Sequence, residues 1–177
     1  MLNLKQLLGF RPAQTREDAL TILNGVVRIS RRPGFFGAER LPDSFEGRLE
    51  LVIAHAAVVV LRLRRDPVDA GLAQEFIDAF FKYLDASLRE AGVGDLTVPK
   101  RMKKLAGGFY GRLKAYEEGL KAAEQSLEAA LIRNALGKMG AGFAPALAAH
   151  VRAEHARLQN AAVSALADPA FWAAGEG

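Results

Sequence analysis

The sequence predicts an all-α fold, a single-domain bundle of about six helices. Apolar residues recur at spacings of three and four along most of the chain, and strand-like alternation is hard to find. The breaks between periodic stretches carry proline, glycine and helix-capping residues. With 177 residues, half of them apolar and a quarter charged, the chain can bury a real core and has ordinary globular composition. Residues 13–167 are expected to form the helical domain. The amphipathic segment MLNLKQLLGFRP (1–12) precedes it and a flexible tail (168–177) follows.

The elements follow in order. Thr15 is read as the cap of a helix that starts Arg16-Glu17-Asp18 and runs to about Arg32, with acids first and arginines last as the helix dipole favours. RRPGFFGAERLPDS then breaks the pattern and carries Phe35 and Phe36 as aromatic anchors. Asp43 or Ser44 caps an apolar helix reaching about Arg65. Its core, LELVIAHAAVVVLRL, is about 15 residues, short of the ~20 a membrane span needs, and holds Glu50 and His55. It reads as a buried central helix. The next helix, Pro67 to Glu90, places Leu72, Phe76, Phe80, Tyr83 and Leu84 on one stripe. After AGVGDLT, with Thr97 as cap, a helical pattern extends from Val98 to about Leu136, with a kink at its glycines one reading. GKMGAGFAP ends it, and an alanine-rich helix covers about Ala144 to Ala167.

Chemistry is sparse. There is no cysteine, which excludes disulfides, thiolate metal sites and cysteine nucleophiles and suits a reducing compartment. His55 in its apolar run reads as a hydrogen-bonded core imidazole. His150, Glu154 and His155 do not form an H-E-x-x-H motif and lack a second ligand pair. Asp43, Glu46 and Glu50 share a helix face and read as a solvated acidic flank. GGFYG and GKMGAG match neither phosphate-binding glycine motif. No catalytic residue, cofactor site or metal site is assigned, and the chain is read as a non-enzyme.

The basicity is local. Residues 95–116 hold six cations and one acid, while the rest of the chain sums to −1. On a helical projection Met102, Leu105, Ala106, Phe109, Leu113, Tyr116 and Leu120 fall within about 60° of one direction and form a core stripe. Lys100, Lys103, Lys104 and Lys114 project to the opposite half, with Arg101 and Arg112 along one edge. Gly107, Gly108 and Gly111 lie among the cations. Each costs ~1 kcal/mol relative to alanine in a helix, so the helix breaks or kinks there, a partner approaches the backbone closely, or an ordinary solvated basic face tolerates them.

DLTVPKRMKKLAGGFYGRLKAYEEGL, residues 95–120, resembles the signature of the ubiquinol–cytochrome c chaperone family, with its V-P-K-x-M-K-x-L-A-x-x-F-Y-G-R core. DSFEGRLELVIAHAAVVVLRL, residues 43–63, resembles that family's other marked segment, and the two stand in the expected order. The resemblance covers about residues 10–165. It implies an all-helical assembly chaperone of the cytochrome bc1 complex whose client is newly synthesised cytochrome b. It also implies a ribosome contact and a small partner protein; separately, the positive charge favours an anionic membrane surface, and no DNA contact is expected. The absence of a presequence suggests a bacterial member in the cytoplasm, peripheral at the inner face of the cell membrane. Lys100, Lys103, Lys104, Gly107, Tyr110, Gly111 and Arg112 are the expected partner-binding residues. The alternative reading is a basic helical protein that binds nucleic acid or the ribosome, although the segment offers little base-reading chemistry.

Overall fold

The computed structural model describes residues 13–138 and 140–173. Six helices of two turns or more dominate: α1 (Ala13–Ser30), α2 (Phe45–Leu63), α3 (Ala70–Glu90), α4 (Val98–Lys121), α5 (Glu124–Leu131) and α6 (Ala144–Asn160). Two short helices, α7 (Val163–Leu166) and α8 (Pro169–Ala173), follow. The described residues contain no strand, only an isolated bridge between Phe36 and Leu41. The all-α expectation holds. The amphipathic segment expected at 1–12 lies outside the described residues.

The bundle is built around α2. Ser44, not Asp43, caps it by accepting a hydrogen bond from the Gly47 amide at 3.1 Å. Every residue from 51 to 60 is buried, and α1, α3, α4 and α6 pack against this helix. No helix among the described residues is long and apolar enough to cross a membrane. α3 presents Phe76, Phe80 and Leu84 to the core, all fully buried, each stabilising the fold by about 1.5–3 kcal/mol relative to exposure. α3 ends where Gly92 turns to φ 79°. There the Gly92 and Val93 amides donate to the Arg89 and Leu88 carbonyls, the paired bonds of a Schellman motif.

Several boundaries differ from expectation. Thr15 lies inside α1 instead of capping it. The stretch expected as one helix from Val98 to Leu136 is divided, and not at Gly107-Gly108: α4 runs through all three glycines to Lys121. The chain turns at Ala122 and Ala123, both extended, and α5 folds back before a π-helical turn over Ile132–Leu136. Gly119 permits that corner, since a Cβ there would lie 2.8 Å from the Leu127 backbone.

α6 stops at Asn160 instead of continuing to Ala167. Arg62, only 4% exposed, reaches from α2 to donate to the carbonyls of Leu158 and Ala161, both at 2.9 Å. A cation on terminal carbonyls satisfies groups the helix leaves open and complements its dipole. Arg152 does the same for α4, donating to the Gly119 and Leu120 carbonyls.

Of the tail expected at 168–177, residues 168–173 are described, and 169–173 form α8. Asp168 accepts from the Ala170 amide at 2.8 Å, and Pro169 stands at the first position of α8, a helix start. Trp172 is 1% exposed, sits on Gly25 of α1 and donates from Nε1 to the Leu166 carbonyl at 2.8 Å.

Candidate interaction surface

α4 divides as its apolar spacing requires. Phe109, Leu113 and Tyr116 are buried, and Met102, Leu105 and Leu120 are partly buried against the core. The outer side exposes Lys100, Arg101, Lys103 and Lys104. None of these four enters an ion pair among the described residues. Lys100 and Arg101 stand in the first turn, where the helix dipole disfavours positive charge by about 0.3–1 kcal/mol each, Lys103 and Lys104 follow in the second, and no acid in the first turn offsets them. Cations in that position are not explained by the stability of the helix.

Gly107 and Gly111 are exposed, and a Cβ at either would meet nothing within 4 Å. Because α4 is uninterrupted there, a break in the helix does not account for them. They leave backbone bare between Lys103 and Lys114. Gly108 differs, being half-buried with the Arg112 guanidinium 2.8 Å from where a Cβ would stand. Tyr110 is 45% exposed and leans on Phe81 and Phe109, with ring centroids at 6.5 and 5.5 Å.

Arg112 departs from its expected place on the contact face. It turns inward and grips Glu50 of α2 through two bonds, at 2.8 and 2.5 Å. It also donates to the Asn134 and Gly108 carbonyls. Both partners are about one-fifth exposed. Glu50 is therefore not part of a solvated acidic flank: burial raises its carboxyl above the ordinary range, and Arg112 partly reverses that. The hydroxyl of Tyr116 is buried without a hydrogen-bond partner among the described residues. Burial, and then the charge of Glu50, hold its ionisation above the usual phenol range.

Beside this ion pair a cleft of about 660 Å³ opens between α4, the start of α2 and the end of α3. Its floor is apolar, made by Phe45, Leu49, Leu88 and Leu105. Arg101 and Lys104 stand on the α4 wall and Glu46 on the α2 wall. Projection of α4 alone could not reveal this depression, because three of its four apolar contributors belong to other helices. The available clue was that both distinctive segments of the sequence line it.

The histidines form a separate buried group. His55 is 2% exposed, as a core imidazole should be. Its Nδ1 lies 2.8 Å from the Leu51 carbonyl and 3.1 Å from Ser30 Oγ. With Nδ1–H donating there, Nε2 accepts from His150 Nε2–H at 2.9 Å. Phe35 packs edge-on against both rings. Glu154 is engaged by Arg157 at 2.8 Å, and no group of three or more metal-ligating side chains gathers among the described residues.

Burial, reinforced by His150, pushes the His55 ring down to about 3. Burial also lowers His150. Between about pH 6.5 and 3 the unfolded chain binds the protons that folded His55 refuses, so stability falls as pH falls through that window. The slope is about 1.4 kcal/mol per pH unit for each group affected. Urea unfolding at pH 7.5 and 5 should show the loss for the wild type, and a His55→Gln variant should show a visibly shallower pH dependence. Equal slopes would contradict a neutral imidazole pair.

The family described as Ubiquinol-cytochrome C chaperone matches residues 38–173, a span that includes both walls of the cleft. The crystal structure of the Cbp3 homolog from Brucella abortus is similar over 94% of each chain, at 37% identity and a TM-score of 0.77. No curated protein matches the chain.

Proposed function

The chain belongs to the ubiquinol–cytochrome c chaperone family, and we propose that it is a non-enzymatic assembly chaperone of the ubiquinol–cytochrome c reductase (cytochrome bc1) complex. In this reading it holds newly synthesised cytochrome b through the outer face of α4. The observation that carries the reading is the set of cations Lys100, Lys103 and Lys104, free of ion pairs among the described residues, beside the bare backbone of Gly107 and Gly111. That combination lowers helix stability and favours a partner that brings negative charge and a closely approaching backbone. Tyr110 adds an aromatic with a polar tip at the edge of the face, a residue type enriched at interfaces. Arg112 supports the face from behind.

The same cations favour residence beside an anionic membrane surface, at about 1 kcal/mol per cation, where a multispanning client emerges. Binding to nucleic acid or the ribosome would draw on the same charges. The apolar floor next to Arg101 and Lys104 favours a polypeptide partner over a polyanion.

The test is affinity purification from cells that make the bc1 complex. Cytochrome b should co-purify with the wild type and fall several-fold with a Lys100→Glu, Lys103→Glu variant. Thermal unfolding should not fall, since both side chains are exposed and an acid at 100, in the first turn of α4, is favoured by the helix dipole. Undiminished co-purification with the variant would remove the α4 face from the reading. Absence of cytochrome b from the wild-type preparation would remove the client.

A further inference from the structure

We infer that the cleft between α4, α2 and α3 is the seat of an amphipathic helix of the client. The helix lays its apolar stripe on Phe45, Leu49, Leu88 and Leu105 and turns an acidic flank toward Arg101 and Lys104. This inference rests on the chaperone reading and names the chemistry of the segment that is held.

Three observations specify the occupant. First, the depression is elongated: the cleft of about 660 Å³ shares Phe45 and Leu49 with a second one of about 400 Å³ that continues toward Tyr83 and Ser87. A trough with an apolar floor and charged rims is the shape taken by grooves that receive amphipathic helices. Second, charge is distributed unevenly across it. On the α4 wall Arg112 is neutralised by Glu50, while Arg101 and Lys104 have no ion partner among the described residues. On the α2 wall stands Glu46. An occupant with carboxylates along the α4 side finds two cations there, and one with carboxylates on its other flank meets Glu46. The cleft therefore selects orientation as well as charge. Third, the floor is held in place: Leu88 is 2% exposed, and the Glu50–Arg112 clamp ties α2 to α4 beside it. A preformed apolar surface spends little ordering entropy on binding.

The probe is a synthetic amphipathic peptide of about 14 residues, four helical turns, with a leucine stripe and glutamates along one flank. A twin carries lysines in place of the glutamates. By fluorescence anisotropy the wild-type protein should bind the glutamate peptide at least about tenfold more tightly. An Arg101→Glu, Lys104→Glu variant should reverse the preference. The variant keeps its fold, because both side chains are exposed and the acid at 101, in the first turn of α4, is favoured by the helix dipole. Phe45→Ser should weaken both peptides. Equal binding of the twins, or a preference that charge reversal leaves unchanged, would overturn the inference.

Cell purification separates the two claims. Cytochrome b retained in full by the Arg101→Glu, Lys104→Glu variant overturns the cleft as client seat and leaves the chaperone reading standing. A wild-type preparation without cytochrome b overturns both the chaperone reading and the client helix.

Discussion

Replacing Trp172 with alanine is expected to destabilise the protein by about 3–5 kcal/mol, the range for emptying a fully buried large aromatic site. In a chain of this size that lowers the thermal midpoint by roughly 10 °C. The indole is 1% exposed, and its Nε1–H is satisfied by the Leu166 carbonyl. Its neighbour Phe171 lies under the Arg157 guanidinium at 4.0 Å, and Arg157 also donates to the Phe171 carbonyl at 3.1 Å. The indole occupies space that only glycine leaves on α1: a Cβ on Gly25 would stand 2.1 Å from Trp172 Cδ2.

Gly25→Ala should therefore destabilise the wild type, because the ring and its helix must shift. In the Trp172→Ala background the same substitution should be neutral or stabilising by up to ~1 kcal/mol, since alanine is the better helix former once the space is empty. Chemical denaturation of the two single variants and the double variant measures the coupling. Additive effects would mean that α8 does not pack on α1 in solution.

Arg112→Ala should cost about 3 kcal/mol. Breaking one partner of a buried ion pair leaves the other charge without compensation, and the one-fifth exposure of Arg112 and Glu50 puts the effect at the lower end of the usual range. The variant also loses the bonds to the Asn134 and Gly108 carbonyls. The pH dependence identifies the cause. Without Arg112, burial alone acts on Glu50 and raises its folded pKa further. An acid whose folded pKa lies above its unfolded value contributes stability at low pH that is lost as pH rises from the unfolded pKa through the folded one. The deficit of Arg112→Ala relative to wild type should thus be smaller near pH 4 than near pH 8. Glu50→Leu combined with Arg112→Met should recover much of the loss, because a well-packed apolar pair avoids desolvating two charges. A pH-independent deficit would assign the loss to packing instead.

Much of this molecule can be read from local pattern. The apolar spacing in 102–120 identifies Phe109, Leu113 and Tyr116 as inward-facing, and the unbroken apolar run around His55 marks a helix buried on all sides. The density of cations between Lys100 and Lys104 marks an outer face. These are properties of residues within a few positions of one another, and the 3.6-residue period converts them directly into direction. The marked segments at 43–63 and 95–120 point to the family for the same reason: each is continuous in the chain.

What escaped the sequence depends on what lies opposite. Arg112 has the spacing of an edge cation, but its partner Glu50 stands 62 residues away, so the same side chain serves the interior instead of the contact face. The turn at Ala122-Ala123 carries no glycine or proline. It exists because Gly119 lets α5 fold back and Arg152 satisfies the open carbonyls of α4. DPAFW reads as a loose end until Gly25 supplies a slot for its tryptophan. The chain alone determined which residues form helices, which stripe each helix buries and where positive charge gathers, because those follow from neighbours in sequence. Only the tertiary structure decided which charges are spent inside, where the helices stop and which apolar walls meet to make the cleft. Those outcomes are set by desolvation and close packing between residues that sequence order does not bring together.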